Sequence, residues 1–134
     1  MKILVLAPHT DDGELGCGGS IAKFIEDGHD VYYIAFSICE KSVPEGFEED
    51  ILAKEVIEAV KVLGLDKNNL IVKRYPVRLF NEHRQEILDD MIKLKSKINP
   101  DMIFIPSSFD VHQDHAVIHQ EAKRAFKDRS ILGY

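Results

Sequence analysis

Residues 2–29 read KILVLAPHTDDGELGCGGSIAKFIEDGH, and this stretch decides the fold. It opens with an unbroken apolar run, Ile3 to Ala7, the pattern of a strand buried on both faces. It closes with a helical run over residues 18–29, where Ile21, Phe24 and Ile25 share one face and Gly28 supplies the stop. Between the two, His9, Asp11, Asp12 and Glu14 crowd into one loop, followed by Gly16, Gly18 and Gly19. A strand, a charged loop and a helix in that order make the opening of a βαβ unit.

The rest of the chain repeats the alternation. DVYYIAFS (30–37) reads as a second strand, and ICEKSVPEGF (38–47), with Pro44 and Gly46, as a loop. Leu52, Val56, Ala59, Val60 and Leu63 recur at helical spacing over residues 48–63, and Gly64 ends that helix. NLIVKRY (69–75) is a third strand, residues 82–98 a third helix, PDMIFIPS (100–107) a fourth strand and residues 114–127 a fourth helix. SILGY (130–134) begins a fifth strand. Strictly alternating elements predict an α/β fold: a Rossmann-like, doubly wound parallel sheet with helices on both faces, as a single domain over residues 1–134. With strand order 3-2-1-4-5, ligands bind where the order reverses, between strands one and four. The loops that leave those two strands are PHTDDGELG (8–16) and SSFDVHQDHAVIH (107–119), and they hold the two densest His/Asp clusters of the chain.

Composition narrows the partners. A formal net charge of -6 disfavours nucleic acid and anionic membranes. The N-terminal apolar run is too short for a signal-peptide core, and no segment is long enough to span a bilayer. Cys17 and Cys39, the two cysteines, make no disulfide framework and are expected as free thiols in a reduced, cytoplasmic setting.

The chemistry sits in the two loops. His9, Asp11, Asp12 and Glu14 come from the first; Asp110, His112, Asp114, His115 and His119 from the second. Histidine with carboxylate suits zinc, iron or manganese, and a spare carboxylate beside a metal site serves as general base. Residues three apart share a helix face, so a helix starting near His112 presents His112 and His115 together. His119 is read as a surface or supporting residue, and His29 and His83 as ordinary surface histidines. The glycine spacing fits neither GxGxxG nor GxxxxGK[ST]; it is read as letting the helix start pack tightly against the charged loop, with Cys17 as small buried packing.

PHTDDGELGCGG together with DVHQDH resembles the LmbE-like, or PIG-L, family of zinc-dependent N-deacetylases, which act on N-acetylglucosamine-type groups. The resemblance runs from the first strand to the fifth. It implies that His9, Asp12 and His115 hold Zn²⁺ and that Asp11 is the general base toward the zinc-activated water. His112 then stabilises the oxyanion or protonates the leaving amine, Asp114 orients a histidine, and Glu14 supports the loop. Arg78 and Arg84 are candidates for binding polar groups of the N-acetylated sugar or glycoconjugate. Thr10 stands where the family carries proline, a change expected to do little harm. Family members run well beyond this length, so the chain is expected to lack a C-terminal part that supplies one pocket wall. The exposed edge of the fifth strand then allows a homo-oligomer.

Two other functions compete. A non-catalytic metal- or sugar-binding module fits the short length. A Mg²⁺-dependent phosphatase of the haloacid dehalogenase type fits paired aspartates after strand one, but that chemistry uses Asp-x-Asp, and here the pair is adjacent and follows a histidine. Metal analysis with a deacetylase assay separates the three.

Overall fold

The strand β1 (Lys2–Ala7) lies in the middle of a five-stranded parallel sheet. It pairs with β2 (Asp30–Ala35) on one side and with β4 (Met102–Ile105) on the other. β3 (Leu70–Val72) and β5 (Ser130–Gly133) form the two edges, giving the order β3-β2-β1-β4-β5. The computed structural model describes every residue from Met1 to Tyr134. The expected topology is the observed one.

Side chains that alternate along the central strands build two apolar layers. Ile3, Val5 and Ala7 of β1 face one side with Val31, Tyr33 and Ala35 of β2. There they meet Cys17 and Ile21 of α1 (Asp12–Glu26) and Val56 and Val60 of α2 (Ile51–Val62). Leu4, Leu6, Ile34 and Phe36 face the other side, against Ile87, Met91 and Ile98 of α3 (Arg84–Ile98) and Ile118 and Ala122 of α4 (Gln113–Ala125). Burial on both faces is why β1 reads as an apolar run and not as an alternating one.

The helix starts differ from expectation. α1 begins at Asp12, inside what the sequence presents as loop, and it breaks at Cys17 (φ -143°, ψ 23°) before resuming. Four glycines lower helix propensity here, so tertiary contacts decide the path. A Cβ on Gly13 would strike the Tyr33 ring and one on Gly16 the Tyr134 ring, whereas Gly19 has open space. Of Gly16, Gly18 and Gly19, read as allowing close packing, only Gly16 is packed tightly, and against Tyr134 rather than the charged loop. In the same way α3 starts at Arg84, preceded by a 3-10 turn over Phe80–His83. No helix is long and apolar enough to cross a membrane.

Candidate metal centre

Because β1 and β4 are neighbours, the segments leaving their carboxyl ends meet. His9 lies two residues past β1, and Asp11 and Asp12 straddle the start of α1, Asp11 as its N-cap. His112 is the N-cap of α4, and His115 lies in that helix's first turn. The His112 and His115 rings stack with centroids 4.7 Å apart, as the three-residue spacing implied.

Three atoms converge. His9 Nδ1 and His115 Nε2 each lie 3.1 Å from Asp12 Oδ2, and 3.3 Å from one another. Two ligands about 2.1 Å from a tetrahedral zinc are separated by about 3.4 Å, so this triangle has the dimensions of three metal ligands. The outer nitrogens point to the same conclusion. His9 Nε2 donates to Asp114 Oδ2 at 2.9 Å, and His115 Nδ1 to Asp110 Oδ2 at 2.6 Å. Carboxylates only accept, so those bonds fix one ring proton on the outer nitrogen of each imidazole. The inner nitrogens then aim lone pairs at an anionic oxygen, an arrangement relieved by a cation at the centre.

The electrostatics agree. Burial disfavours charge on His9 and His115, but their carboxylate partners outweigh it and both titrate above the ordinary histidine value. Burial likewise opposes charge on Asp12 and Asp110, yet bonds from the His115 and His9 rings and the His9 N–H to Asp12, and from the His112 N–H and the His115 ring to Asp110, hold both below the usual carboxylate range. A site that raises two histidines and lowers the carboxylate between them stabilises positive charge there. His112 moves the other way: burial, then the positive potential of His9 and His115, pushes it down. His112 Nδ1 accepts the Asp114 N–H at 3.1 Å, so the ring proton belongs on Nε2. One ligand atom each from His9, His112 and His115 also lie within 4.8 Å of one another. Asp12 Oδ2, 3.1 Å from both His9 and His115, and His112 are thus alternative third donors to the same centre.

The remaining sequence candidates take different places. Asp114 is fully buried and, besides His9, accepts the backbone N–H groups of Arg78 (2.7 Å) and Phe80 (3.4 Å). The Asp11 side chain makes no capping bond to α1. Arg78 lies in the turn tied to Asp114, with a left-handed φ of 68° and an exposed side chain. The structure does not bring Arg84 to the cluster: its Nε (2.8 Å) and Nη2 (2.5 Å) bond Glu121, a fully buried carboxylate on α4 that Arg124 also holds. His119 donates its Nδ1–H to the Pro106 carbonyl, 2.9 Å away, outside the triangle. Cys17 and Cys39 are free and buried; burial pushes their thiols up to about 12 and about 11. Asp110, which bonds His115, was given no role in the sequence, although its place two residues before His112 was the available signal. Tyr33 was not singled out at all.

A doubly wound sheet with a His/Asp cluster at its switch point has the makings of a metal site, and comparison narrows the class. Residues 4–126 match the family described as PIG-L, GlcNAc-PI de-N-acetylase, and the chain belongs to that family. It is 30% identical to the uncharacterized deacetylase YaiS of Escherichia coli K12, with 98% of this chain and 72% of that protein covered. It is 23% identical to the diacetylchitobiose deacetylase of Thermococcus kodakarensis over 85% of this chain and 45% of that one. The solved N,N'-diacetylchitobiose deacetylase of Pyrococcus horikoshii, in complex with its inhibitor MPG, superposes with a TM-score of 0.78 at 26% identity. That match covers 92% of this chain and 48% of the Pyrococcus chain. The chain thus spans about half the length of these two chitobiose deacetylases.

Proposed function

We propose that this domain is a zinc-dependent N-deacetylase acting on an N-acetylglucosamine-type group. The observation that carries the reading is the triangle of His9 Nδ1, Asp12 Oδ2 and His115 Nε2, with the uncapped Asp11 carboxylate on the adjoining residue. His9, Asp12 and His115 hold the ion. When bound, zinc polarises the amide carbonyl and lowers the pKa of water to about 7. Asp114 and Asp110 fix the rings of His9 and His115 from behind, as carboxylates do for metal-bound histidines.

The chain's residues divide the remaining work. Asp11 takes a proton from the attacking water as its oxygen bonds the acetyl carbon. His112 donates its Nε2–H to the carbonyl oxygen as negative charge develops there, which the Nδ1 bond to the Asp114 N–H favours over a proton-delivering imidazolium. The carbon–nitrogen bond then breaks, and the proton held on Asp11 passes to the departing amine, leaving acetate and a free amino sugar. Arg78, exposed on the turn beside Asp114, is assigned to the sugar hydroxyls; Arg84 is given to Glu121 and to α4.

The deciding experiment is zinc analysis of the purified protein with an amine-release assay on N-acetylglucosamine and N,N'-diacetylchitobiose. One equivalent of zinc and amine release support the reading. Zinc without turnover on any N-acetyl sugar leaves a metal-binding module, and absence of bound metal overturns the site.

A further inference from the structure

The first turn of α1 contains an unusual division of labour. An N-cap aspartate ordinarily turns its carboxylate onto the backbone N–H of the second or third helical residue. For α1 those residues are Gly13 and Glu14, and Asp11 bonds neither. Tyr33, fully buried on β2, accepts the Gly13 N–H through its hydroxyl at 3.1 Å. The same hydroxyl donates to Glu14 Oε2, which fixes its direction. The Gly13 N–H, a donor that Asp11 would cap, is therefore occupied by the Tyr33–Glu14 pair. Gly13 is what admits the tyrosine, because any Cβ there would strike the ring.

We propose that Tyr33, with Glu14, caps α1 in place of Asp11 and so keeps the Asp11 carboxylate free to face the reacting water. Tyr33 is a positioning residue: it touches neither the ion site nor substrate, and it acts by removing a competing partner of the base. The proposal rests on the reading of Asp11 as that base. It also explains why α1 starts at Asp12, since a helix end with its Gly13 N–H satisfied by β2 needs no flanking Ser, Thr or Asn for that donor.

Tyr33→Phe keeps the ring and removes the hydroxyl. A crystal structure of this variant is expected to show the Asp11 carboxylate turned onto the Gly13 N–H, with zinc still bound. Turnover should fall about 10-fold with KM unchanged, part of the roughly 10²–10⁴ that a positioned base supplies. In an Asp11→Asn background the same change should cost no further turnover. An Asp11 carboxylate that stays off the helix end in Tyr33→Phe overturns the proposal, and so does an equal loss of rate in both backgrounds. If Tyr33→Phe does not fold, Glu14→Ala removes the acceptor that orients the Tyr33 hydroxyl and is expected to release the Gly13 N–H to Asp11; an unmoved Asp11 there is equally fatal. Should Asp11→Asn alone keep full turnover, the base reading falls, while the crystal structures still decide the capping.

Discussion

The two loops of the site are built on different principles. The first, from β1 to α1, is part of the core: His9 and Thr10 are 8% and 5% exposed, and Tyr33 holds the helix start from below. The second, from β4 to α4, stands in solvent: Phe109 and Val111 are 92% and 99% exposed, and its order comes from short local bonds. Asp110 accepts the His112 N–H, and His112 accepts the Asp114 N–H. The first loop is thus held by burial in the core, and the second by bonds within itself. Asp114, anchored under α4, crosses between them to His9, and His115 crosses to His9 and Asp12.

The sharpest way to break this picture is at Asp12. Asp12→Asn is expected to lose metal and turnover together, read by zinc analysis and amine release on one sample. Next in size is Asp11→Asn, which keeps the side chain's volume and removes its basicity. Zinc content should stay near wild type while turnover drops by about 10²–10⁴. If Asp11→Asn strips the metal and Asp12→Asn retains it, the two aspartates have exchanged roles. His112→Ala should follow Asp11→Asn, with metal kept and rate lost; loss of metal instead would make His112 a ligand.

Smaller effects separate the loops themselves. Asp114→Asn should weaken zinc binding by about 10–100-fold, the usual cost of removing a partner of a metal-bound histidine. Asp110→Asn, on the exposed loop where water replaces a lost partner, should fall at or below the bottom of that range. Competition with a chelator measures both, and equal losses would deny the contrast. Smallest is Phe109→Ser, expected to change unfolding free energy by no more than about 0.5 kcal/mol, as surface changes do. A larger loss in a denaturant titration would mean that the second loop is packed after all.

The sequence by itself determined the architecture and the site's address. Uninterrupted apolar strands alternating with helical periods specify a parallel sheet, and strand order places residues 8–16 and 107–119 at one crevice. The two His/Asp clusters were legible because residue types and loops are local properties; the choice of His9, Asp12 and His115 among them came with the family resemblance, and their inner atoms lie 3.1–3.3 Å apart. Tertiary structure alone decided where α1 begins, since the Gly13 N–H finds its partner on β2 and not in the neighbouring sequence. It also decided the fate of Arg84, whose guanidinium is drawn to Glu121 because a carboxylate buried at 0% exposure requires a partner. The periodicity of α4 marks position 121 as inward-facing but carries no sign of which cation crosses from α3 to meet it. The same holds for Tyr33: a strand pattern reports that it is buried, while only the packed structure shows its hydroxyl ending beneath Gly13 and Glu14.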